Sequence, residues 1–351
     1  MDQRRLGSSG LVVSALGMGT MTFGAESDES EAHRMLDRYA AMGGTFIDTA
    51  DVYSAGRSEE IVGTWLAGRP DRDLFVVATK GRFAMGDGPN DSGAGRRHLT
   101  RALDASLTRL GVDVIDLYQV HCWDPATPLE ETLDTLDGFV RSGKVRHLGL
   151  SNYAGYQLAR AVTTMRLRNL APIVALQAQY SLLDRTIEWE LVPECLDEGL
   201  GILPWSPLAG GWLTGKYSPS DRPVGSTRLG EDPGRGVEAY DLRNNPRTWS
   251  VIEACRAVAE VQGVPVGTVA LAWLRDRPGV SSVILGARTV EQLESNLAAA
   301  HIELGYDERT LLDRVSAPGY PLYPYGFLER YGGETIWEAL GTRVAPPPIG
   351  A

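Results

Sequence analysis

Eight short apolar segments, each followed by a segment of helical periodicity, succeed one another along this chain. The apolar segments indicate strands and cover residues 13–20, 46–50, 74–80, 115–121, 145–152, 173–180, 201–207 and 281–286. Eight strand–helix units over roughly 290 residues are typical of a (β/α)8 barrel, the TIM barrel, in which parallel strands close inside a ring of helices. We therefore predict an α/β protein in which residues 1–351 form one barrel domain. The Gly7 to Gly10 segment predicts a β-hairpin ahead of the first strand.

Two stretches do not fit the repeating unit. Residues 208–247 are rich in Gly, Pro and Arg and are too long for an ordinary connection, so we predict functional long loops at the carboxyl-terminal face of the barrel. A Pro- and Tyr-rich tail occupies residues 315–351. Its aromatic segment from Tyr320 to Phe327 either covers the barrel mouth or packs on the outside. If it covers the mouth, truncation after Ser316 will change the ratios of substrate KM values.

Composition and charge exclude several classes of protein. A hydrophobic content of 43% is enough for a full core, and a net charge of −11 argues against a surface for nucleic acid or anionic membranes. No run approaches the roughly 18 apolar residues of a membrane span, and the N-terminus lacks the apolar core of a signal peptide. We therefore predict a soluble cytoplasmic protein. Cys122, Cys195 and Cys255 are scattered without metal-ligand spacing, which indicates reduced thiols and no metal site.

Four polar side chains stand at the ends of consecutive predicted strands. Asp48 lies inside an apolar strand, Tyr53 follows it by five residues, and Lys80 and His121 close the next two strands. Taken singly, each has an ordinary interpretation, since a strand-end phenol is usually packing, a terminal lysine usually points to solvent and a lone histidine usually belongs to the core. Carboxyl ends of barrel strands meet at one face, however, so their shared position predicts a single proton-transfer site.

The residue types suggest how such a site works. A lysine beside a tyrosine favours the phenolate, so we expect Lys80 to lower the pKa of Tyr53 and let it give up a proton near neutral pH. Asp48 would pair with Lys80 and hold its ammonium group in place. His121 would donate a hydrogen bond to a carbonyl oxygen and orient it.

An acid that protonates a carbonyl oxygen needs a hydride source, and the other strand ends offer groups to hold one. Ser151, Asn152 and Gln177 suit a carboxamide, and Trp205 offers a flat face for ring stacking. Further candidates at strand ends or in the long loop are Gly19, Thr20, Lys216, Arg228 and Arg288. Arg288 precedes the last helix, where the helix dipole disfavours a cation unless an anion is bound there. Neither a Rossmann GxGxxG pattern nor a Walker pattern is present.

Seven features carry a family resemblance: segments 46–53, 117–121, 149–152, 176–180, 204–210 and 285–296, and Lys80 after a strand. Their order and spacing resemble those of the aldo-keto reductases over positions 5 to about 300. Segments 205–208 and 215–217 resemble the bacterial and potassium-channel β-subunit-like branch of that family. The channel-subunit branch lacks the active-site histidine, whereas this chain keeps His121, which favours an enzyme.

The resemblance implies a metal-free, NADP(H)-dependent reduction of an aldehyde or ketone. Tyr53 would be the acid, tuned by Asp48 and Lys80, and His121 would orient the carbonyl. The cofactor contacts that it implies are Gly19, Thr20, Met21, Asp48, Ser151, Asn152, Gln177, Trp205, Ser206, Pro207, Leu208, Gly210, Lys216, Arg228, Gly286, Arg288, Gln292 and Asn296. Among these, Arg288 is expected to select NADPH over NADH through the 2′-phosphate.

Two other functions stay open at this point. A regulatory subunit could hold NADP(H) as a redox sensor, with little turnover, and dock on a partner protein. An unrelated barrel hydrolase or isomerase would show no tight NADPH binding. A small-molecule carbonyl is the expected partner of the enzyme, while its identity, the reaction direction and the choice between monomer and homo-oligomer are left open.

Overall fold

A computed structural model describes residues 1–319, except Ser226, Pro233 and Arg235, together with residues 322–327. Its strands are β1 (Gln3–Arg5), β2 (Val12–Ser14), β3 (Leu16–Gly19), β4 (Phe46–Asp48), β5 (Val76–Gly81), β6 (Ile115–Val120), β7 (Val145–Ser151), β8 (Ile173–Gln179), β9 (Gly201–Trp205) and β10 (Val283–Leu285). The predicted first strand is divided, because β2 pairs antiparallel with β1 and only β3 joins the main sheet. The hairpin predicted ahead of the barrel is therefore present, and its second arm is β2.

The eight remaining strands form a parallel barrel. Their order is β10-β3-β4-β5-β6-β7-β8-β9, so that successive strands of the chain are neighbours in the sheet. An isolated parallel bridge between Ile202 and Val280 brings β9 to the β10 edge, where Ser281 N donates to Ile202 O at 2.9 Å. The predicted (β/α)8 TIM barrel is confirmed.

The helices are α1 (Glu29–Ala41), α2 (Arg57–Ala67), α3 (Arg96–Leu110), α4 (Leu129–Arg141), α5 (Gly155–Leu167), α6 (Leu191–Asp197), α7 (Arg228–Glu231), α8 (Tyr240–Arg243), α9 (Pro246–Gln262), α10 (Val266–Arg275), α11 (Val290–Leu297) and α12 (Tyr306–Ser316). Most of them lie between successive strands and form the outer layer, whereas α7 and α8 belong to the long connection after β9. Helix α1 shows how the sequence sets these elements. Asp28 caps it by accepting from Glu31 N at 2.8 Å, and residues Met35, Leu36 and Tyr39 bury one face at helical spacing.

The core has two parts. One lies between the strands and the helices, and the other fills the barrel interior with side chains that include Phe46, Leu117 and Leu203. Leu6, from the hairpin, is fully buried in the interior part. At Gly7 the chain takes a φ of +57°, and a Cβ there would come within 2.3 Å of Gly199 O. The hairpin thus packs tightly onto the barrel end opposite the strand carboxyl termini.

No single helix among residues 1–319 and 322–327 is long and apolar enough to cross a membrane; α9 and α10 reach that length only together, with a bend of 98°.

In the tail, Tyr325 Oη donates to Glu190 Oε1 at 2.5 Å and its ring lies 6.2 Å from Trp189. Tyr320, Pro321 and 328–351 lie outside the described residues, so a tail over the barrel mouth stays a prediction.

Candidate active site

Asp48, Lys80 and Tyr53 form one hydrogen-bonded chain at the carboxyl end of β4 and β5. Lys80 Nζ donates to Asp48 Oδ1 at 2.5 Å and to Thr49 O at 2.8 Å. It also lies 3.3 Å from Tyr53 Oη. Lys80 is fully buried and Asp48 almost fully, so the two charges are paired away from water. The sequence placed these three residues at one site, and the fold brings them into contact.

The pKa of Tyr53 moves in the direction opposite to the one expected from the sequence. Desolvation of the phenol raises its pKa, Lys80 lowers it and Asp48 raises it, and the net shift is upward. The expectation was wrong because it counted the lysine and left out the burial. A raised pKa keeps Tyr53 protonated at neutral pH, which is the form that a proton donor requires.

The pKa of Lys80 shows why the ammonium group stays charged there. Burial lowers this pKa, but the Asp48 carboxylate and Tyr53 more than offset the burial, so the pKa is raised. Lys80 therefore presents a fixed positive charge to the phenol oxygen.

His121 is neutral in this setting. Burial, followed by the charges of Lys80 and Arg82, lowers the pKa of His121 to about 2. The imidazole packs edge-on against Tyr53, with ring centroids 5.8 Å apart, and against Phe83 at 4.7 Å. A neutral imidazole beside the phenol is able to donate one hydrogen bond to an oxygen that Tyr53 also reaches.

Gln119 belongs to the same site and was not predicted from the sequence. Its Nε2 donates to Asp48 Oδ2 at 3.1 Å, and Gln177 Nε2 donates to the same oxygen at 2.8 Å. Gly149 leaves room for it, since a Cβ there would lie 2.9 Å from Gln119 Cγ. A polar residue next to last in an apolar strand was the available signal, but β6 is not adjacent to β4, and only the closed barrel brings them together.

Tyr53, at one end of the hydrogen-bonded chain Asp48–Lys80–Tyr53, borders a cavity of about 800 Å³. Every predicted site residue lines it except Lys80, which lies buried behind Tyr53. Lining residues that the sequence did not predict include Thr22, Glu26, Val52, Phe83, Thr214, Thr227, Leu271 and Glu291. The carboxyl end of the barrel therefore gathers residues from β3 through α11 around one space.

The middle of the cavity carries amide and hydroxyl groups beside an indole. Trp205 Nε1 donates to Asn152 Oδ1 at 3.1 Å, while Asn152 Nδ2 donates to His121 O at 2.9 Å and to Ser151 Oγ at 3.0 Å. Asn152 has a φ of +57°, a left-handed backbone that is uncommon for residues other than glycine. These bonds fix the Asn152 amide between His121, which follows β6, and Trp205, which ends β9.

The long connection after β9 lines the next part of the cavity. Ser206 takes a φ of +51° and its Oγ donates to Glu238 Oε1 at 2.8 Å. Gly210 must be glycine, because its φ is +66° and a Cβ would come within 2.4 Å of Glu238 Oε2. Glu238 therefore accepts a hydrogen bond at one end of this turn and packs closely against the other end.

Three cations, Lys216, Arg228 and Arg288, line the far end of the cavity. Burial lowers the pKa of Lys216, and the nearby cations Arg288 and Arg228 lower it further. Among the described residues, no carboxylate lies within 4 Å of Lys216 Nζ. Arg288 is paired with Glu26 and Glu231, both at 3.0 Å, and Arg228 with Glu238 at 3.6 Å. Lys216 is thus the cation of the three that has no carboxylate partner among the described residues, which indicates a site for an anion.

Within the described part of the chain, no group of three His, Cys, Asp or Glu side chains is placed to hold a metal ion. The donors at the site are instead a phenol, an imidazole, amides and hydroxyls.

A parallel barrel with a candidate site at the carboxyl end of its strands is the usual architecture of a barrel enzyme. Comparison with known proteins places it further: the chain belongs to the aldo/keto reductase family, whose model matches residues 15–317. It is similar to the uncharacterized oxidoreductase YrpG of Bacillus subtilis, with 39% identity over 329 residues, covering 91% of this chain and 97% of YrpG.

Two further relatives match a similar share of this chain. Protein tas of Escherichia coli is 33% identical over 346 residues, covering 90% of this chain and 97% of that protein. A probable voltage-gated potassium channel subunit beta of Oryza sativa is 35% identical over 305 residues, covering 86% of this chain and 92% of that protein. The family thus includes oxidoreductases and proteins named as channel subunits.

Proposed function

We propose that this protein is an NADP(H)-dependent oxidoreductase that reduces an aldehyde or ketone to an alcohol. The observation that carries the proposal is the chain Asp48–Lys80–Tyr53, whose phenol end opens into a cavity large enough for a dinucleotide and a small substrate. Family membership supports oxidoreductase chemistry of this class.

Tyr53 is the proton donor in this proposal. Its hydroxyl is protonated at neutral pH, and the Lys80 ammonium group 3.3 Å away stabilises the negative charge that develops on the phenol oxygen. Asp48 holds Lys80 in place. Neutral His121 borders the same part of the cavity and donates a hydrogen bond that orients the substrate oxygen toward Tyr53.

The rest of the cavity fits a nicotinamide dinucleotide, which supplies a hydride when it is bound. Ser151, Asn152 and Gln177 line the cavity and would bind the carboxamide of the nicotinamide, and Trp205 would stack on the nicotinamide ring. Lys216, together with the backbone of the 206–210 turn, suits the pyrophosphate. Gly286, Arg288, Gln292 and Asn296 line the end where the adenosine phosphate belongs, and Arg228 lies near them. Lys216 has no carboxylate partner among the described residues, and the cations Arg228 and Arg288 lie near it. This arrangement supports a phosphorylated ligand there.

Steady consumption of NADPH with a panel of aromatic and sugar aldehydes tests the proposal. Tyr53→Phe removes only the hydroxyl, so turnover should fall on the order of 10²–10⁴-fold, as expected for a lost general acid. Binding of NADPH, followed by quenching of tryptophan fluorescence, should stay within a few-fold of wild type. Turnover of the variant within a few-fold of wild type would reject Tyr53 as the donor.

A second candidate function is a regulatory subunit that binds NADP(H) with little turnover. It is favoured by the similarity to proteins named as potassium channel subunits. The two candidates separate on one measurement, because a regulatory protein should bind NADPH yet convert at most about one equivalent of carbonyl per site, whereas an enzyme turns over repeatedly. Retention of His121 between Tyr53 and Phe83 favours the enzyme.

A further inference from the structure

Asp51 is a buried acid immediately behind the catalytic chain. Its side chain is fully buried, it does not line the cavity, and no side chain among the described residues bonds to either carboxyl oxygen. Its backbone N donates to Lys80 O at 3.0 Å, which places it beside the strand that carries Lys80. A buried carboxyl with no side-chain partner is costly, so its presence there needs a reason.

The groups around Asp51 come from four elements and carry opposing charges. Glu59 on α2 is also fully buried and accepts from Thr79 Oγ1 at 2.5 Å and from Arg109 Nε, on α3, at 2.7 Å. On β6, the buried Tyr118 Oη has no partner among the described residues. A Cβ on Gly81 of β5 would lie 2.3 Å from Tyr118 Oη and 3.4 Å from Asp51 Oδ2, so these two groups converge on that glycine.

The charges in this cluster do not balance at Asp51. Arg109 is bonded to Glu59, and Lys80 is bonded to Asp48, so neither cation is paired with Asp51. Burial, and then the charge of Glu59, raise the pKa of Asp51 to about 7, while the backbone N–H of Val52 and the charges of Arg109 and Lys80 lower it in part. An ionised Asp51 in turn raises the pKa of Tyr53. Asp51 is therefore an acid with a pKa near neutrality, and its backbone hydrogen bond holds it against the strand that carries Lys80.

We propose that Asp51 is a positioning residue of the active site, whose charge state acts through Lys80 and Tyr53 to set how readily Tyr53 gives up its proton. The inference rests on the proposed carbonyl reduction. When Asp51 is neutral, the Lys80 charge acts on Asp48 and the phenol alone. When Asp51 is ionised, its negative charge also acts on Lys80 and Tyr53 and makes Tyr53 a weaker acid. Reduction therefore slows as the pH rises through the ionisation of Asp51.

Asp51→Asn tests this, because it keeps the shape of the side chain and removes the titration. We would measure kcat for carbonyl reduction at saturating NADPH and substrate from about pH 5.5 to about pH 9, and compare the ratio of alkaline to acid rates. The wild type should show a downward step near neutral pH of roughly two- to tenfold, the effect of a weaker acid. The step should be missing in Asp51→Asn. A step of the same size at the same pH in the variant would overturn the proposal.

Glu59→Gln gives an independent and directional test. It removes the carboxylate that raises the pKa of Asp51 and frees Arg109 to lower that pKa further. The step in the rate should therefore move to lower pH, a result that a purely structural role of Glu59 does not produce. An unmoved step in a folded Glu59→Gln protein would contradict the role assigned to Asp51.

Infrared spectroscopy reads the ionisation without turnover. With ¹³C-labelled aspartate, the C=O band of a protonated carboxyl should disappear from the wild type as the pH is raised through neutral, and Asp51→Asn should lack that change. Absence of the band in the wild type would overturn the proposal even if the protein reduces carbonyls. Presence of the band without carbonyl reduction would instead reject the proposed function and, with it, the role of Asp51 in reduction.

Discussion

The carboxylate of Asp48 occupies a position where the interior of a barrel strand normally carries an apolar side chain. Lys80 donates to one of its oxygens, and Gln119 and Gln177 donate to the other. An unpaired carboxylate at this depth would cost several kcal/mol, and removing one member of a buried charge pair costs about 3–5 kcal/mol. The two amides therefore fix the carboxylate in the orientation that keeps Lys80 on Tyr53.

Replacing Gln119 by leucine tests this function of the amide. The variant keeps most of the side-chain volume but leaves Asp48 Oδ2 with one donor, so the carboxylate is free to turn away from Lys80. Hydrogen bonds to charged groups are worth about 1.5–3 kcal/mol, so we expect kcat to fall by roughly ten- to a hundredfold. NADPH affinity should change little, because Gln119 does not line the cavity.

Gln179→Leu is the matched control for this substitution. Gln179 also lies on a barrel strand, and its Nε2 is buried without a partner among the described residues. Its replacement should leave kcat within about twofold of wild type, since no donor to a charged group is lost. Equal kcat values for the two variants would show that the Gln119 amide does not matter for catalysis.

Residue type and position predicted some of these side chains and not others. Asp48, Lys80 and His121 could be predicted because a charged or titratable group at the end of an apolar strand is unusual. Gln119 and Asp51 could not, because nothing in their own segments shows which groups they approach in the fold. Their importance depends on contacts across the closed barrel and on burial, which also reversed the expected pKa shift of Tyr53.

The long connection after β9 forms an ion pair with the segment that follows β10. The connection includes α7 and α8, and Glu231 at the end of α7 reaches Arg288 beyond β10. Both partners are partly exposed, and ion pairs of this kind are worth about 0–1 kcal/mol. A phosphate with two charges therefore competes well for Arg288, even though carboxylates hold it here. The sequence suggested that a bound anion explains this cation, and the fold adds Glu26 and Glu231 as partners.

Arg288→Ala should separate the two dinucleotides. NADPH carries a phosphate that the guanidinium can bind through two hydrogen bonds, whereas NADH lacks it. Loss of a charge-assisted contact worth roughly 1.5–3 kcal/mol corresponds to about a ten- to hundredfold weaker NADPH complex. NADH binding should stay the same, as measured by fluorescence titration of both cofactors at one ionic strength.

Arg160→Ala serves as the control for the loss of one positive charge. Arg160 lies on α5, pairs with Glu130 and is 56% exposed, away from the cavity. It should weaken neither cofactor beyond the small effect of net charge. If Arg288→Ala weakens NADPH and NADH equally, the selection belongs to another cation, and Lys216 is the next to replace.

Most elements could be predicted from the sequence, with boundaries shifted by a few residues, because apolar runs and caps define them locally. Helix α12 was missed, since residues 306–316 precede the irregular tail and carry five charged side chains among eleven residues. Its position depends on long-range contacts instead: Asp313 accepts from Trp273 Nε1 and from Arg277 Nη1, both at 2.9 Å. Such contacts between distant segments leave no local pattern to detect.

For the molecule as a whole, the two ends of the barrel have different tasks. The carboxyl end carries the cavity and every proposed contact with ligand. The opposite end is closed by the β1–β2 hairpin, whose Leu6 enters the interior core beside Phe46, Leu117 and Leu203. In barrels of this kind the first end determines activity and the second determines stability.

Leu6→Ala tests this division. Leu6 is fully buried, and truncating it leaves a cavity under the hairpin, which costs about 2–5 kcal/mol of unfolding free energy for such a substitution. Leu167→Ala is the control, because Leu167 is 76% exposed and its loss should change stability by at most about 0.5 kcal/mol. Thermal unfolding followed by circular dichroism should show a lower midpoint for Leu6→Ala only. Well below that midpoint, kcat and NADPH affinity should match the wild type, since no ligand contact is touched. A folded Leu6→Ala protein that loses NADPH binding would show instead that the hairpin end shapes the cavity through the core.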